Sequence, residues 1–142
     1  MFISITNKFI LSLTFVFSFL LMPVVISAQS KRIKPPKRNS KIKSVDQFVD
    51  HTFRLYNKVF VYDSLTQVGV EIPSELEDEL VERAQQDVDS LWQAVPDIID
   101  DVSDASFMKK TKATFNLNKA KKALKYCGLT IKNYFLGKEE ED

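Results

Sequence analysis

Among its 142 residues the chain has three glycines, one histidine and one cysteine. Each scarcity removes a class of chemistry. Gly69, Gly128 and Gly137 stand too far apart to build a phosphate-cradling loop, and no G-x-S-x-G elbow or C-x-x-C pair occurs. A single histidine, His51, rules out multi-histidine metal centres and the paired Glu-x-x-His ligands of di-iron bundles. His51 falls at the border of an apolar helical face. Its neighbour Asp50 points about 100° away on a helix and cannot orient it as a general base. Cys127 has no partner for an internal disulfide, so the fold must hold by packing alone. Its place on an apolar helical face reads as a small buried hydrophobe, not a nucleophile.

Carboxylates are plentiful but badly spaced for a site. "DVDS" (87–90) and "PDIIDDVSD" (96–104) lack the D-x-D-x-D-G loop with a distal glutamate that holds calcium. Asp97, Asp100, Asp101 and Asp104 share one helical face and would bind a divalent cation weakly at most. No catalytic, cofactor-binding or metal-ligating residue is assigned, no cofactor is expected, and the chain reads as a protein without enzymatic activity. No small-molecule substrate is expected either, because a bundle this small has little room for a pocket of convergent polar groups.

What is present begins with the N-terminus. "MFISITNK" carries one charge, at Lys8; "FILSLTFVFSFLLMPVV" (9–25) carries none; "ISA" ends on the small Ala28 before Gln29. This order predicts a signal peptide over residues 1–28, cleaved near Ala28, and hence export to the periplasm or the exterior. Pro23 breaks the apolar helix ahead of the cleavage site. The alternative is an inner-membrane anchor, since residues 9–28 are long enough to span a bilayer. The basic run behind it would then hold the rest of the chain in the cytoplasm.

Residues 29–43, "QSKRIKPPKRNSKIK", contain seven cations and no acid: Lys31, Arg32, Lys34, Lys37, Arg38, Lys41 and Lys43. Pro35-Pro36 excludes a helix, and Ile33 and Ile42 offer little to bury, so the composition predicts a disordered basic arm. A helical domain follows over 44–137, and residues 138–142 form an acidic tail.

Helical periodicity marks three segments. Ser44 with Gln47 reads as a capping box, and Val45, Phe48, Val49, Thr52, Phe53, Leu55, Tyr56, Val59 and Phe60 share one face. Asp63 would land within that stripe, so the first helix is expected to stop near Tyr62. "SLTQVGVEI" connects to a second capping box at Ser74 and Glu77. The stripe over 75–105 keeps its register through Pro96, which predicts one bent helix with the proline outside. Residues 106–116 fit neither neighbouring register and are read as a possible short fourth helix. Over 117–136, Leu117, Ala120, Ala123, Leu124, Cys127, Gly128, Ile131, Tyr134 and Phe135 form one uncharged arc. Gly128 costs about 1 kcal/mol against alanine there, so it is expected to permit a close helix crossing. Gly137 is the expected C-cap. Together these predict an all-α fold, a small antiparallel three-helix bundle.

The formal net charge is only +1, yet residues 71–104 hold twelve acids against Arg83 alone, and residues 105–138 hold nine lysines and no acid. Opposite blocks on successive helices can select their pairing. Outward-facing blocks attract charged partners. The expected role is that of an envelope-associated interaction or accessory module with a protein partner or an anionic surface. Alternatively, the arm and a lysine face bearing Lys121, Lys125 and Lys132 bind a polyanion: lipid, polysaccharide or nucleic acid. Nucleic acid is disfavoured because the arm has no aromatic residues on which bases could stack.

Overall fold

Three apolar stripes at helical spacing must find one another to leave water, and they do so as three helices. The computed structural model describes residues 31–139, with side chains as far as Tyr134. The expected signal peptide and the first residues of the arm lie outside the described residues, as do those beyond Glu139. Helix α1 spans Lys43–Gln67, α2 Ser74–Ser103 and α3 Phe107–Glu139, and there is no strand among the described residues.

Both capping boxes fail. Ile42 and Pro73 occupy the N-cap positions, neither helix has a side-chain cap, and the Ser44 hydroxyl is buried with no hydrogen-bond partner. Asp46 does the equivalent work for α1 from inside its first turn. Its carboxylate accepts hydrogen bonds from the Ser40 N–H and Oγ–H, each at 2.8 Å, and from the Lys41 N–H at 3.1 Å. A negative charge at a helix N-terminus is also favourable to the helix dipole. Lys41 turns the chain into α1 at φ +66°, a left-handed conformation that these bonds to Asp46 stabilise.

Helix α1 runs past the expected stop because Asp63 has partners. The hydroxyls of Tyr126 and Tyr134 both donate to its carboxylate, the latter at 3.1 Å, so an acid within the apolar stripe is satisfied instead of expelled. The helix ends where glycine lets it. Gly69 adopts φ +76° with its N–H on the Thr66 carbonyl, and the Val70 N–H reaches back to Leu65, a Schellman closure.

The second helix contains Pro96 in its interior, with that residue exposed and Ile98 beyond it buried, as the unbroken register requires. The expected short helix at 106–116 does not stand apart. It is the start of α3, a single helix of 33 residues. A shift in apolar register changes what a helix buries, not whether its backbone bonds continue. Gly137 likewise does not cap α3, which continues to Glu139.

Ring contacts fix the helix directions. Tyr56 meets Tyr126 with centroids 5.3 Å apart and Tyr62 meets Tyr134 at 5.0 Å, so α1 and α3 run the same way. Glu77, near the start of α2, acts on Tyr62 and Tyr134, while Val88 further along faces Gly128. Helix α2 therefore runs opposite to both. All three pairs of helices touch.

The core is drawn from residues 45–131, with Ile33 and Ile42 packed against its edge. The described residues from Arg32 onward form one compact unit, and every group in that core belongs to it. On α3, Ala113, Ala120, Ala123, Leu124 and Cys127 are all fully buried. Truncating a side chain such as Leu124 at such a site costs about 2–5 kcal/mol.

Gly128 corrects one expectation. A β-carbon added there would meet the nearest atom, Val88 Cγ1, at 3.7 Å, an ordinary van der Waals distance. The crossing does not need the glycine. Gly128→Ala is expected to raise the unfolding free energy by about 1 kcal/mol through helix propensity. Urea unfolding of the two proteins measures it, and a loss of stability would show that the helices are closer than described.

Candidate functional site

The segment expected to be disordered is instead laid along the bundle as a strap. Arg32 donates to the Asn57 side chain at 2.8 Å and places its guanidinium 5.4 Å from the centre of the Phe60 ring. The Ile33 N–H donates to the Tyr56 hydroxyl at 2.8 Å. Further on, the Asn116 amide donates to the Arg38 carbonyl at 2.8 Å, and Ser40, fully buried, ends the strap on Asp46. A polar, proline-bearing segment is thus ordered by hydrogen bonds to helices already in place. Burial of Ile33 and Ile42 alone would not do it.

The strap's polar backbone and its isoleucines turn inward while its charges do not. Lys31, Arg32, Lys34, Lys37, Arg38, Lys41 and Lys43 are all exposed. Lys112 and Lys119 border this track, because they lie four residues before and three after Asn116 on the same side of α3. Lys119 holds its ammonium 5.1 Å from the Phe115 ring centre.

The lysine face expected on α3 is not part of that track. Lys121, Lys125 and Lys132 lie seven and three residues before and four after Gly128, which faces Val88, so they flank α2 instead. The structure joins the six arm cations from Arg32 to Lys43 to Lys112 and Lys119 and separates them from Lys121, Lys125 and Lys132. Sequence periodicity could have divided the lysines of α3 in this way, but only with the knowledge that Asn116 faces the strap.

Apart from Glu77, which is half-buried beside Tyr62, the acids of α2 are likewise outward. The ion pairs Arg83–Glu79 at 2.6 Å and Arg54–Asp50 at 3.1 Å each run along one helix and join nothing across the bundle. Asp97, Asp100, Asp101 and Asp104 are exposed, and among the described residues no three side chains of His, Cys, Asp or Glu converge where a metal ion could sit. His51 is exposed on α1.

Cys127 is fully buried, and burial pushes its thiol up to about 12, so it stays protonated and inert as a nucleophile. Tyr62 and Tyr134 are shifted the same way. Burial and then the Glu77 carboxylate hold the Tyr62 phenol well above its ordinary value; burial raises Tyr134, with Asp63 adding to it and Thr66 opposing. These groups knit α1, α2 and α3 together at one end of the bundle.

A separate feature, not foreseen from the sequence, lies between α1 and α2. An apolar groove of about 800 Å³ is lined by Val61, Leu65, Ile72, Leu76 and Leu80, with Glu79 and Asp87 among its polar residues. Leu76, at an apolar position of the 75–105 stripe, is 60 % exposed at this groove.

No helix among the described residues is long and apolar enough to cross a membrane. No protein-family model, curated protein or solved structure matches the chain.

Two outcomes test this site. Asp46→Ala removes three hydrogen bonds to a charged acceptor and is expected to cost about 2 kcal/mol. Hydrogen exchange of the Ser40 and Lys41 amides should accelerate with it, and unchanged protection would mean the strap is held elsewhere. The second concerns pH. A phenol whose value is raised in the folded state keeps its proton longer than in the unfolded chain, so its contribution is complete below the ordinary value of 10.0 and is lost as pH rises above it. Denaturant midpoints should therefore fall above pH 10.0 less steeply in Tyr62→Phe than in the parent protein.

Proposed function

We propose that this protein is an exported, non-enzymatic interaction module of the cell envelope, and that its contact surface is the basic strap, which adsorbs to anionic lipid headgroups. The observation that carries this is the strap itself: six exposed cations from Arg32 to Lys43 along one track, bordered by Lys112 and Lys119, with no acid between residues 29 and 43.

Each lysine or arginine close to an anionic bilayer contributes about 1 kcal/mol, and the sum is screened within a Debye length. A track already ordered on the bundle loses less conformational freedom on contact than a disordered arm would. The apolar run 9–28 directly precedes the strap, so export brings the strap to a membrane surface as the chain emerges. Removal of residues 1–28 leaves Gln29 only three residues from the first strap contact at Arg32.

Cosedimentation with vesicles tests the proposal, using the chain that begins at Gln29. Partitioning onto vesicles with an anionic phospholipid should far exceed that onto neutral phosphatidylcholine and fall steeply with salt. Reversing Lys34, Lys37, Arg38 and Lys41 to glutamate should lower it at least about 100-fold, since four contacts of roughly 1 kcal/mol each are lost. None of these four side chains holds the strap in place, so equal binding by the reversed variant would overturn the proposal.

A further inference from the structure

An endopeptidase takes its substrate as an extended strand, so a bond inside a helix is protected until that helix unwinds. Among the described residues the strap is the one non-helical segment with a lysine or arginine. Residues 68–73 and 104–106, which join the helices, have none. The strap is therefore where an enzyme that cuts after basic residues meets the folded protein, and its bonds are not equivalent.

Most of them are guarded. Lys31 precedes the first anchor, and a cut there leaves the strap whole. The amide between Arg32 and Ile33 donates to the Tyr56 hydroxyl at 2.8 Å, and the Arg32 side chain is committed to Asn57 and Phe60. Lys34 is followed by Pro35, whose ring replaces the N–H and spoils the fit of a peptidase to that bond. Lys41 is held in a left-handed conformation at φ +66°, and the amide that follows it donates to Ser40 Oγ at 3.1 Å. Lys43 is the first residue of α1. Lys37 and Arg38 remain. Both are exposed, at a bend between the anchors at Ile33 and Ser40. The strap arches there: a cavity of about 280 Å³ lies between Pro35, Pro36, Arg38 and Asn39 on one side and Asp50 and Phe53 of α1 on the other. The Asn116 amide ties down the Arg38 carbonyl at 2.8 Å, and one such hydrogen bond opens far more readily than a helix unwinds.

We infer that the Lys37-Arg38 pair is a processing site for a trypsin-like endopeptidase, and that the cut releases the strap from the bundle. Water adds across the peptide bond after Lys37 or after Arg38, leaving a carboxylate on that residue and an amine on the next. The N-terminal piece then keeps its contacts through Arg32 and Ile33 without a covalent link, and a few hydrogen bonds do not hold so short a peptide. The bonds from Ser40 to Asp46 lie beyond the cut, so α1 keeps its N-terminal closure and the bundle stays folded. The consequence rests on the reading of the strap as the lipid-binding surface. Arg32, Lys34 and Lys37 leave with the released piece, so cleavage detaches the protein from an anionic membrane.

The experiment uses the chain from Gln29, which contains the whole compact unit. A trace of trypsin is added and the intact mass is followed with time. One early product is expected, starting at Arg38 or Asn39, with the helical circular dichroism signal unchanged. First cuts inside a helix, or after Arg32 or Lys41, overturn the inference. Lys37→Gln combined with Arg38→Gln leaves every anchor in place and should survive the same treatment; a strap cut equally fast in that variant overturns it too. In protein recovered from its own cells and their medium, a species beginning at Arg38 or Asn39 is expected, and its absence counts against the site in the same way. Cosedimentation reads the consequence. The cut protein should bind anionic vesicles at least about 100-fold more weakly than the uncut chain, and equal binding of the two overturns the release. An uncut chain that ignores vesicles altogether defeats the lipid reading by itself, while the masses still decide the cleavage site.

Discussion

Everything in this molecule is arranged around the buried seam of α3. Ala113, Ala120, Ala123, Leu124 and Cys127 have no exposed surface, and four of the five are small. Small side chains along one helix let two others lie close against it, and the larger groups then come from the partners: Phe48, Phe53 and Tyr56 from α1, Val88 and Ile98 from α2. With a single cysteine and so no internal disulfide, the stability of a chain this short depends on how much of that contact is made. The aromatic end, where Tyr62, Tyr126 and Tyr134 gather on Asp63 and Glu77, adds polar fixation to a seam that is otherwise non-directional. A carboxylate that is fully satisfied by phenols specifies which turn of α1 faces which turn of α3, and hydrophobic burial alone does so less sharply.

The strap depends on the same seam at one remove. Its anchors, Tyr56, Asn57, Phe60, Asp46 and Asn116, stand on α1 and α3, so it can be ordered only after those helices are side by side. Its own sequence offers two isoleucines and seven cations, which is why composition alone reads it as disordered. Composition measures what a segment can bury by itself and is silent about hydrogen-bonding groups waiting on a surface elsewhere in the chain.

That difference marks where the sequence was legible. The apolar stripes on 45–60 and 117–136 were visible because burial follows a 3.6-residue period, and most of the core comes from them. Pro96 could be tolerated on the same grounds. Asp63 could not be read, since its acceptability depends on two hydroxyls sixty or more residues away. Gly128 suggested a tight crossing from residue type alone, and the 3.7 Å of room beside Val88 shows that a glycine can persist without a steric reason. The boundary at 116 was drawn from a change of register, which reports burial and not backbone continuity. Exposure of Leu76 was hidden for the converse reason. A residue at the right angle on a helix is buried only where the neighbouring helix comes close, and α1 and α2 diverge enough at that end to leave a groove.

Charge adds the last constraint. A protein with a formal net charge of +1 is usually expected to have little electrostatic character, but here the signs are sorted by element. The strap and the start of α3 are positive, and α2 is negative. The ion pairs Arg83–Glu79 and Arg54–Asp50 stay within single helices and do not join one block to the other. Charges that are not spent on holding the bundle together remain available to whatever approaches it.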